Sequence, residues 1–260
     1  MKLSDDQKAR YARDGYLFFP GVFSEEELGP LRRGLERMAS RRGPEIVRES
    51  DSDPESALKI VFGVDVHDEA YRRLRCHPHL LAPSEQLLGT GVYVYQARIN
   101  FNAGFAGGGW GWHQDFNQWY RQDGLQKPNA LLAAVFLDDV NACNAPLMII
   151  PGSHRRGHIY IPDRMEIDED VVAELVREGG IDPLIGPAGS VAFLHSNVVH
   201  GSTRNITPWP RSICYLIYNS VENTTILHPR GDFRCRTDFT PLSPLDERCL
   251  LDLAGDRESR

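Results

Sequence analysis

Residues 92–100 read Val92-Tyr93-Val94-Tyr95-Gln96-Ala97-Arg98-Ile99-Asn100, and the alternation predicts a β-strand because successive side chains of an extended chain point to opposite faces. One alternate set is Val92, Val94, Gln96, Arg98 and Asn100, whose polar members project together. On its own, that face either lines a polar pocket or meets water. Upstream, a helix is predicted from Pro78 to Leu88, ended by Gly89 and Gly91. Ser4 with Gln7 and Ser24 with Glu27 have capping-box spacing. The first box opens a short polar helix ending near Gly15. The second opens an amphipathic one carrying Leu28, Leu31, Leu35 and Met38 at helical spacing. Between them Tyr16 to Phe19 reads as a strand stopped by Pro20 and Gly21. Charges and prolines predict a loop from Gly43 to Ser56. Downstream, strand-like runs at Leu131 to Leu137, Leu147 to Ile150, Ser190 to Leu194 and Ser212 to Asn219 are separated by Pro, Gly and Asn turns. The acidic stretch Glu166 to Glu178 reads as a surface helix or insertion. Helices early and strands late predict a mainly β fold, a sandwich or barrel with flanking helices and a helical N-terminal wrap.

The chemistry starts just past the glycine-rich run Ala106 to Gly111, at His113 and Asp115. In an extended strand residues i and i+2 share a face, so both side chains can reach one ion while Gln114 points away. Such a tripeptide arises by chance in roughly one chain in four of this length, so a second half is needed. It is supplied by His200-Gly201-Ser202 at the exit of an apolar strand, followed by Arg211 at the head of the β-rich run Ser212 to Tyr218. Two imidazoles and one carboxylate on one face of a metal, with the other face open, are the ligand set of non-haem Fe(II) oxygenases. A small diacid cosubstrate needs a cation for its far carboxylate, and the planar guanidinium of Arg211 matches one bidentately.

With 260 residues, 41% hydrophobic and 25% charged, the chain can bury one substantial core and reads as a single domain over residues 1–260. A formal net charge of -7 and a pI near 5.7 argue against a nucleic-acid partner, since phosphate contacts demand a basic surface. Arg32, Arg33, Arg37, Arg41 and Arg42 are offset by Glu26, Glu27 and Glu36 and read as the solvated side of a helix. Five cysteines without a C-x-x-C spacing predict no disulfide framework and a cytoplasmic default. No signal-like N-terminus and no apolar run near the roughly 20 residues of a membrane span are present, so no membrane association is expected. Gly107 to Gly109 lacks the Lys-Ser/Thr of a phosphate loop and reads as a hairpin tip or lid. His67, His77, His79, His158 and His228 carry no ligand spacing, and His154 and His195 read as structural.

Five ordered motifs carry a resemblance. They are Gln96-Ala97-Arg98-Ile99-Asn100-Phe101; Trp112-His113-Gln114-Asp115-Phe116 with Trp119 and Asp123-Gly124; Pro146-Leu147 with Pro151-Gly152-Ser153-His154; Gly186-Pro187-Ala188-Gly189-Ser190; and His200-Gly201-Ser202 with Asn205 and Pro210-Arg211. Together they resemble the phytanoyl-CoA dioxygenase superfamily, nearest its bacterial branch of ectoine hydroxylase and free L-proline 4-hydroxylases, over most of the chain. The resemblance implies a double-stranded β-helix, the cupin-like jelly roll, with Fe(II) held by His113, Asp115 and His200. It implies 2-oxoglutarate as cosubstrate, its far carboxylate paired to Arg211 and hydrogen-bonded by Ser202, and O2 consumed in hydroxylating an unactivated C–H bond. Retention of Asp115 favours hydroxylation over halogenation. Relatives tend to carry Lys where this chain has Asn102, so Asn102 is a candidate cosubstrate contact that cannot supply the charge, which leaves Arg211 as the principal anchor. Gln96, Arg98 and Trp119 are expected to face the substrate, Arg98 toward a carboxylate, and the strand register adds Asn100. The substrate expected is a small free amino acid or cyclic imino acid such as proline, pipecolate or an ectoine-like compound, handled by a monomer or homodimer. Arg230, Arg234 and Arg236 match no motif and read as surface charges. The alternatives are a jelly-roll protein that binds metal or small molecules without turnover, and a dioxygenase for a different natural product.

Overall fold

Both capping boxes form. In the computed structural model, which describes residues 1–255 except 51, 54, 228, 229 and 232, Ser4 and Gln7 cap α1 (Asp5–Asp14), and Gly15 ends it with φ 82. His228 therefore lies outside the described residues. Strand β1 (Tyr16–Phe19) follows, then α2 (Glu25–Ala39), capped by Ser24 and Glu27, which buries Leu28, Leu31 and Met38. The stretch expected to be a loop contains a short strand, β2 (Ile46–Arg48), because it pairs with β3 (Leu58–Phe62), a partner beyond the reach of local composition. Helices α3 (Val64–His67), α4 (Glu69–Leu74) and α5 (Pro78–Leu88) lead to β4 (Val92–Asn102).

The remaining elements are β5 (Trp110–His113), α6 (Asp115–Asp123), β6 (Ala130–Phe136), β7 (Leu147–Ile149), α7 (Glu169–Gly179), β8 (Asp182–Leu184), β9 (Val191–His195), β10 (His200–Ser202), β11 (Arg211–Ser220) and α8 (Asp252–Gly255). Two antiparallel sheets result, one ordered β1-β9-β6-β11-β4-β3-β2 and one ordered β5-β10-β7-β8. The chain is a jelly roll with flanking helices. The larger sheet is covered on both faces. Leu131, Ala133 and Val135 pack outward with Leu28, Leu31, Leu80 and Leu81 of the helices. Leu132, Ala134 and Phe136 pack inward with Leu147, Ile149 and Leu184 of the smaller sheet. That two-sided burial is why β6 shows no polar alternation, and each fully buried Leu or Phe contributes about 1.5–3 kcal/mol.

Strand β4 departs from simple alternation. Its register against β11 runs from Gln96 opposite Ile217 to Val94 opposite Tyr218, leaving Tyr95 as an extra residue. This β-bulge rotates the first part of the strand. Val92 and Val94 join the outer core with Ala97 and Ile99, while Tyr93 and Tyr95 join the inner one. The expected face of Val92, Val94, Gln96, Arg98 and Asn100 is therefore split, and only its polar members stay inside. No helix among the described residues is long and apolar enough to cross a membrane, and all five cysteines are free.

Candidate active site

Antiparallel pairing of β5 with β10 sets His113 opposite His200, with ring centroids 4.3 Å apart. Each Nδ1 lies against a backbone carbonyl, His113 against Gly111 at 2.7 Å and His200 against Val198 at 3.0 Å. A carbonyl only accepts, so each Nδ1 carries the proton and each Nε2 keeps its lone pair for a ligand. Burial, reinforced by His113, pushes His200 down to about 4, which keeps that imidazole neutral near pH 7.

Asp115 reaches the same point from a helix, not from the strand that the His-x-Asp spacing predicts. The strand ends at His113, and Asp115 is the first residue of α6. Gln114 does turn away, donating to the carbonyls of Gly157 and Asn197 and accepting from the Ile159 N–H. Asp115 Oδ1 lies 3.6 Å from His113 Nε2, and its Oδ2 lies 4.0 Å from His200 Nε2. Burial raises the Asp115 carboxyl, but the Arg98 guanidinium, the His113 hydrogen bond and both imidazoles outweigh it and hold it well below the usual carboxylate range.

Arg98 is committed to that carboxylate. Its Nη2 donates to Asp115 Oδ2 at 2.9 Å, its Nη1 donates to Gln96 Oε1, and its guanidinium lies 5.3 Å from the Tyr215 ring centroid. Gln96 in turn donates to the Arg234 carbonyl. Gln96 and Arg98 thus form a chain of bonds that orients Asp115; Arg98 also lines the cavity, whereas Gln96 is not part of its wall. Asn100 does stand on the wall of the cavity, which measures about 230 Å³ and opens onto His113, Asp115 and His200. Trp119 does not. It is fully buried in the inner core, edge-on to Tyr95 at 5.2 Å, because the cavity-facing positions of α6 are Asp115, Gln118 and Gln122, spaced at helical intervals.

The head of β11 brings Arg211 to the same cavity, buried to 1% exposure. Its Nε donates to the Ala145 carbonyl and its Nη2 to Ser202 Oγ, both at 3.0 Å. Burial pushes the guanidinium down from its usual value, yet arginine stays protonated in proteins. No carboxylate among the described residues forms an ion pair with it, so a buried cation faces the cavity without a directly paired anion. Asn102 sits across the sheet from Arg211, but it donates to the Thr203 carbonyl and lies outside the cavity lining. Asn102 thus stands outside the wall that Arg211 and Ser202 share.

Arg230 and Arg234 are the residues the sequence reading misses. Both line the cavity. Arg230 pairs with Asp123, donating to Oδ1 at 2.7 Å, and Tyr95 donates to the same carboxylate. Arg236 pairs with the buried Asp65. No local pattern reveals these roles, because the acidic partners lie far upstream. Arg230→Ala is expected to lower the unfolding free energy by about 3–5 kcal/mol by stranding a buried charge, read by denaturant titration. An unchanged midpoint would mean that water reaches Asp123.

The three ligand atoms of His113, Asp115 and His200 lie within 4.8 Å of one another, and no further His, Cys, Asp or Glu among the described residues joins the group. Two imidazoles and one carboxylate suit a first-row metal and leave half of an octahedron free. Within a jelly roll, such a centre defines a mononuclear non-haem iron oxygenase. Residues 11–213 match the phytanoyl-CoA dioxygenase (PhyH) family, and the chain belongs to that family. It is 38% identical to ectoine dioxygenase of Bordetella parapertussis, over 96% of this chain and 88% of that protein. It is 34% identical to L-proline trans-4-hydroxylase of Streptomyces griseoviridis, over 93% and 96%. Among solved structures it is similar to EctD from S. alaskensis. The form with 2-oxoglutarate and 5-hydroxyectoine gives a TM-score of 0.82 at 33% identity, covering 95% of this chain and 86% of that one. The form with bound Fe gives 0.82 at 31% identity, over 94% and 87%.

Proposed function

We propose that the chain is an Fe(II)- and 2-oxoglutarate-dependent hydroxylase that places one oxygen atom on an unactivated C–H bond of a small free amino acid or cyclic imino acid, of the proline or ectoine kind. One observation carries it: Arg211, a buried cation with no ion-pair partner among the described residues, shares a single cavity with an open-faced His-Asp-His centre. A protein that only binds metal has no use for both.

In this reading His113, Asp115 and His200 hold the iron, and Arg211 with Ser202 holds the far carboxylate of 2-oxoglutarate. When bound, the pair supplies an oxidant for the C–H bond, consuming O2 and releasing succinate and CO2. The chain's own contribution is orientation. Carbonyls at Gly111 and Val198 fix the imidazole tautomers, and Arg98 holds one Asp115 oxygen so that the other is presented to the metal. A small zwitterion is supported by the cavity volume of about 230 Å³, by its polar wall at Asn100, Gln118 and Gln122, and by relatives named for ectoine and L-proline. Five free cysteines fit a cytoplasmic setting. We take residues 1–260 as one catalytic domain, acting as a monomer or homodimer.

The test is anaerobic addition of Fe(II) and 2-oxoglutarate, followed by air and a panel of cyclic and linear amino acids. A weak visible charge-transfer band, then succinate and a product heavier by one oxygen atom, is the expected result. No band and no succinate with any substrate would leave a non-catalytic binding protein. Turnover confined to larger natural products would keep the chemistry and overturn the substrate class.

A further inference from the structure

The strand pairing that sets His113 against His200 also sets Trp110 against Ser202. Directly opposed residues project to the same face, and both line the cavity with Arg211. The Trp110 Nε1–H is buried and meets no acceptor among the described residues. An indole nitrogen only donates, and an unpaired buried donor is costly, so folds seldom keep one without a use.

The indole plane is held from outside the cavity. Lys59 Nζ lies 5.0 Å over the ring centroid and pairs with Glu49 at 3.3 Å. Glu49 accepts from the Gly108 N–H at 2.9 Å, tethering the glycine-rich stretch that leads into β5. This cation–π contact and its tether restrict the ring. Across the sheet from Arg211, Asn102 offers no charge and is turned to Thr203. Ser202 Oγ already accepts from Arg211, which leaves its own O–H free to donate. A carboxylate has about four lone-pair sites, more than Arg211 and Ser202 fill.

We propose that Trp110 is a third donor to the far carboxylate of the cosubstrate, its Nε1–H acting with Arg211 and the Ser202 hydroxyl. This rests on reading the cavity as a 2-oxoglutarate site. The indole supplies, as a neutral hydrogen bond, part of what a second cation would supply at position 102.

The test is calorimetric titration of the anaerobic Fe(II)-loaded protein with 2-oxoglutarate and with 2-oxopentanoate, which chelates identically but has no far carboxylate. Trp110→Phe keeps the aromatic wall and removes the N–H. It should weaken 2-oxoglutarate about tenfold, the scale of one hydrogen bond to a charged group, and change 2-oxopentanoate less than about twofold. Equal weakening of both keto acids, or of neither, overturns the role of the N–H. Failure of the parent protein to bind 2-oxoglutarate at all overturns the site reading instead. Independently of any variant, the Zn(II)-loaded, ¹⁵N-labelled parent has four tryptophans. One indole N–H resonance should move downfield with 2-oxoglutarate and stay in place with 2-oxopentanoate; no such movement counts against the proposal.

Discussion

Asp115→Ala is expected to abolish hydroxylation and to weaken Fe(II) binding by two orders of magnitude or more. The carboxylate is the sole anionic group of the three that converge on the site, and it is held deprotonated by Arg98 against the cost of burial. Removing it also strands Arg98, whose side chain is 9% exposed, beside two imidazoles. Breaking a buried pair on one side costs about 3–5 kcal/mol, so the variant should lose stability in denaturant as well as iron in anaerobic titration. Undiminished turnover by a folded Asp115→Ala protein would show that the assigned carboxylate is wrong. A variant that loses stability yet keeps normal iron affinity would show that Arg98, not the metal, is the main partner of Asp115.

Arg211→Ala is expected to raise the 2-oxoglutarate concentration needed for half-maximal succinate formation at least a hundredfold, with much less effect on the rate at saturation. A desolvated charge-assisted pair contributes a few kcal/mol, and every 1.4 kcal/mol is tenfold in affinity. Ser202 loses the donor now 3.0 Å from its hydroxyl, so the smaller residue cannot compensate. Arg211→Lys should recover part of the loss, since charge remains while the forked geometry does not. A requirement unchanged in the alanine variant would place the diacid anchor elsewhere, with Arg234 the next cation on the cavity wall.

Most of the frame is legible from local chemistry. Ser4 and Ser24 cap where hydroxyls three residues before Gln or Glu must cap. The helix from Pro78 to Leu88 begins at a proline and stops at a left-handed glycine with φ 71. Apolar runs become the strands expected of them within a residue or two. His113, Asp115, His200 and Arg211 are likewise readable, because ligand chemistry allows few residue types and their order along the chain matches a family pattern.

What resists such reading depends on partners distant in sequence. The bulge at Tyr95 is visible only in the pairing of β4 with β11, and alternation alone puts Val92 and Val94 on the wrong face. Trp119 has the composition of a binding residue but packs against Tyr95 because α6 turns Gln118 and Gln122 to the cavity instead. Arg230 looks like a surface charge until Asp123 is placed beside it.

The sequence by itself determined most of the elements, the metal-ligand types and a candidate cation for a diacid, since caps, periodicity and donor chemistry are properties of short segments. Only the tertiary structure decided which side chains face the iron site and which serve it from behind. Strand register and cross-sheet contacts are set by segments that meet only when the core closes, and a shift of one residue exchanges the two faces of a strand.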